Sequence, residues 1–144
     1  MKILVINGPN INMLGIREPG VYGTGSYDDL LEYIRRAAEE IGVETAFFQS
    51  NSEGAIVDAI QAAYGAFDGI VINPAAYTHT SIAIPDALKA VAIPAVEVHL
   101  TDISAREPYR RNSFTSAACV ETITGEGFEG YKRALSALAG FVAR

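Results

Sequence analysis

Short apolar runs alternate along this chain with segments of helical periodicity. The runs predict strands over residues 3–6, 43–48, 70–72, 95–100 and 120–124. A continuous apolar run such as ILVI is typical of a strand that is covered on both faces. Parallel strands need crossover helices, so the alternation predicts an α/β fold with a parallel sheet between two helix layers. Five strands favour the flavodoxin-like order 2-1-3-4-5.

The intervening segments carry helix signals at both ends. Ser26 is a predicted N-cap and Gly42 a predicted C-cap of the first helix, and Ser52 and Gly65 bound the second, which carries Tyr64 near its end. Further helices are predicted over 85–91, with proline in the first turn, and over 128–142. The 144 residues fit one domain spanning 1–144.

Composition narrows the class of partner. A net charge of −6 argues against nucleic acid, which favours a basic face. The chain has one cysteine, Cys119, which excludes a disulfide framework and suits a reducing compartment. The sequence contains no apolar run near the roughly 20 residues of a membrane span. We therefore expect a soluble, cytoplasmic protein with no membrane partner.

Polar residues gather where the predicted strands end. Asn10 follows the first strand, Asn73 and His79 follow the third, and Glu97 and His99 lie on the fourth. Ligands of open parallel sheets bind outside the carboxyl ends of the strands, where the strand order reverses. The sequence thus predicts a small-molecule site that contains both histidines of the chain.

Positive charge is concentrated in the same loops. Arg17, Arg106, Arg110 and Arg111 follow the first and fourth strands. Guanidinium groups pair well with carboxylate and phosphate, so the group favours an anionic ligand. A solvated loop is the alternative, and for Arg111 taken alone it is the preferred interpretation.

Tyr22 and His99 are candidates for proton transfer. A tyrosine has a pKa near 10 and can act as a base at neutral pH if a cation, here Arg17, favours the phenolate. His99 is then a candidate acid, with Glu97 two residues away on the same strand face. An exposed loop aromatic and a hydrogen-bonded strand-end histidine remain equally open interpretations at this point.

The segment GEGFEG near the C-terminus satisfies the dinucleotide-binding pattern GxGxxG. Glu126 and Glu129 would face the pyrophosphate, and too few residues follow Gly130 for the ribose-binding acid about 20 residues on. We interpret these glycines as turn and packing positions.

Five blocks in register resemble the type II dehydroquinase family: NGPNINMLG, REPGVYG, NPAAYTHTS, EVHLTD and SAREPYRRNS. The resemblance covers nearly the whole chain. It implies the flavodoxin-like fold and a hydro-lyase that removes water from 3-dehydroquinate by anti elimination, through an enolate and without a cofactor or metal. It also implies a place in the shikimate pathway of aromatic amino acid biosynthesis.

The resemblance implies five catalytic residues. Tyr22 would be the base that takes a proton alpha to the ketone, with Arg17 beside it. His99 would protonate the departing hydroxyl, and Glu97 would orient His99. Asn10 would stabilise the enolate, through a water.

The family's substrate-binding positions correspond to Asn73, His79, Asp86, Leu100, Thr101, Arg106 and Arg110. By resemblance, Asn73, His79 and Arg110 hold ring hydroxyls, and Leu100 and Thr101 take the carboxylate. Arg106 would lie near the lid, as the segment that carries Arg17 and Tyr22 is called here, and Asp86 would reach the site of a neighbouring subunit.

The resemblance also implies a homododecamer, a tetramer of trimers. The chain departs from the family pattern at Gly25, Tyr27 and Ala117, none of which carries chemistry. A catalytically silent protein that binds a small cyclic carboxylic acid is the alternative function. Tyr22, Arg17 and His99 argue against it, because a pure binder has no use for a base and an acid.

Overall fold

The computed structural model describes residues 1–16 and 25–143, which fold around a five-stranded parallel sheet. The strands are β1 (Lys2–Asn7), β2 (Glu44–Gln49), β3 (Gly69–Asn73), β4 (Ala95–His99) and β5 (Glu121–Thr124). Their order is β2-β1-β3-β4-β5, and every neighbouring pair is parallel. The predicted α/β fold and strand order are confirmed.

Four α-helices connect and follow these strands in the described chain: α1 (Tyr27–Ile41), α2 (Glu53–Ala62), α3 (Ala83–Val91) and α4 (Glu129–Val142). Both predicted caps of α1 are present. Ser26 and Asp29 form a reciprocal capping box, and Gly42 ends the helix in the left-handed conformation. Among the helices of residues 1–16 and 25–143, none is both long enough and apolar enough to cross a membrane.

The end of α2 differs from the prediction. The helix stops at Ala62, and Tyr64 is 74% exposed rather than packed on a helix face. The reason is a turn around the carbonyl of Ala63, which accepts hydrogen bonds from the N–H groups of Ala66 and Phe67 at 3.0 Å each. Gly65 therefore lies in this turn, and its predicted role as the helix end is wrong.

The strand side chains alternate between two apolar layers. Ile3 and Val5 of β1 pack on the side of α1 and α4, in a cluster that includes Leu30 and Leu135. The intervening residues of β1, Leu4 and Ile6, pack on the opposite side. That second cluster includes residues of α2 and α3, namely Ile56, Ile60, Ile84 and Leu88. The sheet is thus the middle of three layers, with its strand ends open to ligands.

The GEGFEG segment forms the connection between β5 and α4. Gly125 and Gly127 both have positive φ, 77° and 58°. A Cβ at Gly130 would lie 3.3 Å from the side chain of Val98 and 3.4 Å from that of Ile123. These contacts are those of turn and packing positions, as the sequence predicted.

Candidate active site

A cleft of about 140 Å³ opens at the carboxyl ends of β1, β3 and β4. It is lined by Pro9, Asn10, Ile11, Asn73, Ala75, Ala76, His79, His99, Leu100, Thr101, Ile103, Arg106 and Arg110. Because β1 and β3 are neighbours in the sheet and their connections diverge, this is the point where the strand order reverses. The cleft lies where the sequence predicted a ligand.

Most of the predicted site residues line this cleft: Asn10, Asn73, His79, His99, Leu100, Thr101, Arg106 and Arg110. Both histidines of the chain are therefore in one place. Glu97 is fully buried behind His99. Tyr22 and Arg17 lie outside the described residues.

Two predicted residues stand apart from the cleft. Asp86 is an exposed residue in the first turn of α3 and is not among the described residues that line the cleft. Arg111 is also exposed and absent from that lining set, and its Nε donates to the carbonyl of Arg106 at 3.2 Å. The position of Arg111 agrees with the solvated-loop interpretation preferred for that residue.

The loops after β1 and β3 approach each other closely beneath the cleft. The N–H of Gly8 donates to the carbonyl of Asn73 at 2.7 Å. A Cβ on Gly8 would lie 2.6 Å from the carbonyl oxygen of Pro74, so the approach requires glycine. Two residues later, Asn10 has a φ of 70° and donates its N–H to Asn51 Oδ1 at 3.0 Å. This bond holds the loop that presents Asn10 at the edge of the cleft.

His99 lines the cleft and forms a hydrogen-bonded pair with Glu97, which lies behind it. Both side chains project from the same face of β4. Glu97 is 0% exposed and His99 is 5% exposed. His99 Nε2 makes a short hydrogen bond to Glu97 Oε2. The carboxylate accepts, so the proton of the ring lies on Nε2 and Nδ1 is the nitrogen left for a ligand.

Asn73 is held by hydrogen bonds at both ends of its amide. Its Oδ1 accepts from the N–H of Ala75 at 3.0 Å, and its Nδ2 donates to Tyr131 Oη at 2.9 Å. Tyr131 in turn donates to Asn7 Oδ1 at 2.7 Å. Burial raises the pKa of Tyr131, so the hydroxyl keeps its proton. The side chain of Asn73 is therefore fixed before any ligand arrives.

His79 is fixed by the loop that follows β4. Its Nδ1 lies 2.6 Å from the carbonyl oxygen of Asn112. A carbonyl can only accept, so Nδ1 carries the proton, and Nε2 of the neutral ring is an acceptor. An acceptor in this position suits a ligand hydroxyl group.

Two arginines give the acidic chain a local positive region. Arg106 and Arg110 both line the cleft, and Arg110 Nε lies 2.9 Å from Glu107 Oε2. The Glu107 carboxyl has a lowered pKa, through a hydrogen bond from its own backbone N–H and the charges of Arg110 and Arg106. Glu107 thus stays ionised and orients Arg110 at neutral pH.

Sequence reasoning assigned no role to three residues that support the site: Thr78, Ser113 and Tyr131. Thr78 and Ser113 place their hydroxyls against the Glu97 carboxylate, and Tyr131 holds Asn73. Thr78 and Ser113 stand inside the blocks NPAAYTHTS and SAREPYRRNS, which could have flagged them. For Tyr131 the available signal was weaker, because a tyrosine among apolar helix positions indicates only a need for a polar partner.

The arrangement suits a small, hydroxylated anion. The arginines provide charge, the Asn73 amide and His79 provide hydrogen bonds, and the Glu97–His99 pair can give or take a proton at Nδ1. The buried Glu97 carboxylate accepts the hydrogen bond from Nε2 and so holds the ring of His99 in place.

The chain matches one family model and is similar in sequence to proteins of that family. Residues 1–139 match the family model described as Dehydroquinase class II. The chain is 55% identical over 144 residues to the 3-dehydroquinate dehydratase of Clostridium acetobutylicum, and the match covers 100% of both chains. It is 58% identical over 134 residues to the 3-dehydroquinate dehydratase of Fusobacterium nucleatum, covering 91% of each.

A solved structure gives the same result in three dimensions. The crystal structure of type II dehydroquinase from Butyrivibrio crossotus is similar with a TM-score of 0.95 at 49% identity, covering 96% of this chain and 97% of that chain. The fold, the sequence blocks and the family model agree over nearly the whole chain, and this chain belongs to the class II dehydroquinase family.

Proposed function

We propose that this chain is a hydro-lyase that converts 3-dehydroquinate to 3-dehydroshikimate and water. The observation that carries the proposal is the buried Glu97–His99 pair, whose histidine lines a cleft together with Arg106 and Arg110, in a chain of this family. The substrate is a cyclic hydroxy acid, and its carboxylate and hydroxyls match the charge and the acceptors of the cleft. The relatives named above carry the same activity in their names.

In the proposed mechanism, Tyr22 and His99 divide the proton transfers. The phenolate of Tyr22, stabilised by Arg17, takes a proton from the carbon alpha to the ketone, and the electrons of that bond form an enolate. Asn10 stabilises the enolate through a water. His99 enters this step as the imidazolium, with Nε2–H bonded to Glu97 and a second proton on Nδ1. The enolate then expels the hydroxyl, which takes the Nδ1 proton and leaves as water, so that the ring returns to its neutral Nε2–H form. Proton exchange with solvent then restores Tyr22 and His99. The steps need no cofactor or metal.

The remaining site residues bind the substrate in this proposal. Asn73, His79 and Arg110 hold ring hydroxyls, and the fixed orientation of the first two supports that role. The backbone of Leu100 and the hydroxyl of Thr101 take the carboxylate. By resemblance to the family, Arg106 takes the role of the arginine near the segment that carries Tyr22.

We also propose a metabolic pathway, a cellular compartment and a domain organisation for the protein. The proposed reaction is a step of the shikimate pathway towards the aromatic amino acids, and we place the chain in the cytoplasm, which suits its single free Cys119. The family match over residues 1–139 supports one domain across 1–144.

We also propose a homododecamer built as a tetramer of trimers. Asp86 is exposed on α3 beside Ile82, an apolar residue that is 55% exposed. A subunit contact here would cover Ile82 and carry Asp86 towards the site of the next subunit. An Ile82→Glu variant should then dissociate the assembly in light scattering and lose activity, and a fully active wild-type monomer at assay concentration would contradict the proposal.

The test of the reaction is direct. Adding 3-dehydroquinate to the pure protein should produce the ultraviolet absorbance of the conjugated enone in 3-dehydroshikimate. Tyr22→Phe and His99→Ala should each lower kcat by about 10²- to 10⁴-fold, the usual cost of losing a general base or acid. Binding of 3-dehydroquinate by calorimetry with no absorbance change would favour a silent binding protein instead.

A further inference from the structure

The carboxylate of Glu97 is surrounded by hydroxyl groups as well as by His99. Thr78 Oγ1 lies 2.9 Å from Glu97 Oε2. Ser113 Oγ lies 3.0 Å from the same oxygen and 3.3 Å from Oε1. The two hydroxyls are 2.6 Å apart. A buried carboxylate is thus met by two hydroxyl groups from different parts of the chain.

The backbone holds these hydroxyls against the carboxylate. Thr78 belongs to a 3₁₀ turn after β3, and Ser113 follows β4 by a loop. The N–H of Phe114 donates to the carbonyl of Thr78 at 2.8 Å, and His79 Nδ1 donates to the carbonyl of Asn112 at 2.6 Å. The residues flanking Ser113 are therefore joined to Thr78 and its neighbour, and the hydroxyl pair is placed without a ligand.

Counting hydrogens shows where the two hydroxyl protons go. Each hydroxyl has one hydrogen, and Ser113 Oγ already accepts from the N–H of Ser116 at 3.1 Å. Between Thr78 and Ser113 one hydroxyl donates to the other, and the second then has its own hydrogen free for Glu97. Whichever hydroxyl donates to the other, the last hydrogen bond of the series is donated to the Glu97 carboxylate. When both hydroxyls are removed, His99 is the side-chain donor that remains to this carboxylate.

We propose that Thr78 and Ser113 are positioning residues that fix the Glu97 carboxylate and, through it, the ring tautomer and orientation of His99. The hydroxyls hold Oε2 in line with His99 Nε2, which keeps the ring proton on Nε2 and leaves Nδ1 facing the cleft. A misoriented carboxylate would let the ring rotate and lose its Nε2–H form, so that Nδ1 would no longer face the hydroxyl that the ring must protonate. The effect of these hydroxyls on turnover rests on the proposed function, whereas their effect on the His99 tautomer does not.

The first experiment reads the tautomer in the free protein. Ring ¹⁵N spectra are simple here because the chain has two histidines, and the spectrum of His79→Asn assigns His99. At a pH where the ring is neutral, wild type should show the Nε2–H form. The double variant Thr78→Val with Ser113→Ala should show averaged ring shifts, and Thr78→Ser, which keeps the hydroxyl, should resemble wild type.

Thr80→Val is the matched control, because Thr80 is an exposed threonine two residues from Thr78. It should leave the His99 shifts unchanged. If the double variant does not fold, as judged by circular dichroism, Ser113→Ala alone is compared with wild type. Unchanged ring shifts in a folded variant that lacks either hydroxyl would overturn the proposal, whether or not the protein is a dehydratase.

The second experiment uses turnover of 3-dehydroquinate. Loss of positioning acts on the proton-transfer step, so Ser113→Ala and Thr78→Val should each lower kcat by about 10- to 10²-fold. KM should change less than about twofold, since neither hydroxyl lies among the described residues that line the cleft. Thr78→Ser should recover most of kcat. A loss carried by KM, or no loss in an active enzyme, would overturn the kinetic role.

Discussion

Tyr131 on α4 accepts a hydrogen bond from the side-chain amide of Asn73 at 2.9 Å, although the two residues are 58 positions apart. The same hydroxyl donates to Asn7 at the end of β1. Asn7 and Asn73 are register partners on neighbouring strands, so one hydroxyl connects both strand ends to the helix that covers them. The fold thereby fixes the amide that faces the cleft.

Replacing Tyr131 by Phe tests this link. The change removes one oxygen and leaves buried polar atoms of Asn73 and Asn7 unsatisfied, which costs about 1–3 kcal/mol of unfolding free energy. We expect a lower urea midpoint, and a higher KM for 3-dehydroquinate because the Asn73 amide is no longer held. Tyr64→Phe is the control, since Tyr64 is 74% exposed, and it should change neither quantity. Equal unfolding free energies for both variants would show that the buried network contributes nothing.

Arg110 and Arg111 form a natural pair for a test of the anion site. They are neighbours in sequence, and of the two Arg110 lines the cleft within the described chain. Losing a charge-assisted hydrogen bond to the substrate costs about 1.5–3 kcal/mol, so Arg110→Ala should raise KM by roughly 10- to 10²-fold and lower kcat less. Arg111→Ala should leave both constants within about twofold. If the two variants lose activity equally, the cleft is not where Arg110 acts.

Local features of the fold were predictable from sequence. Ser26 and Gly42 were predicted as helix ends because capping depends on a few adjacent residues. The contact between Glu97 and His99 was predicted because residues two apart on a strand share a face. The end of α2 was missed because Gly65 serves a turn after the helix rather than its cap.

Long-range contacts were not predictable in the same way. Ser113 meets Thr78 across 35 positions, and Tyr131 meets Asn7 across 124. No periodicity or cap signal connects such distant residues, because their meeting depends on how the helices and loops pack on the sheet. The sequence blocks could flag Thr78 and Ser113 as candidates, but the contacts that these hydroxyls make with each other and with Glu97 follow only from the fold.

Substitution of Gly8 tests the close approach of the two loops that follow β1 and β3. A Cβ there would meet the carbonyl oxygens of Pro74 at 2.6 Å and Asn73 at 3.2 Å, so Gly8→Ala must move backbone. We expect a loss of about 1–3 kcal/mol of unfolding free energy and a higher KM, because Asn73 moves. Gly54→Ala in α2 is the control, because a Cβ at Gly54 would lie 3.9 Å from Ser52 Oγ, an ordinary van der Waals contact. It should stabilise the protein by at most about 1 kcal/mol. A neutral Gly8→Ala would mean that the loops can separate at no cost.

The thiol of Cys119 should react slowly with alkylating reagents near neutral pH, because burial raises its pKa. Burial, and then the negative charge of Glu97, raise the pKa of the thiol to about 12. At pH 8 the thiolate fraction is then about 10³-fold lower than for a free cysteine of pKa near 8.5, and iodoacetamide should react more slowly by about that factor. Unfolding in urea should restore the ordinary rate. Alkylation of the native protein at the rate of the unfolded chain would contradict the raised pKa.

The same shift predicts how stability depends on pH. The thiol is protonated more strongly in the folded state, so its contribution is fully present below the unfolded pKa near 8.5 and is lost as pH rises towards the folded pKa of about 12. Between pH 8 and pH 10 the wild type should lose about 2 kcal/mol of unfolding free energy through Cys119, because each unit of separation is worth about 1.4 kcal/mol. Cys119→Ala should lose less over the same interval. Urea titrations at both pH values measure the difference, and parallel pH dependence in the two proteins would show that the thiol does not titrate differently in the folded state.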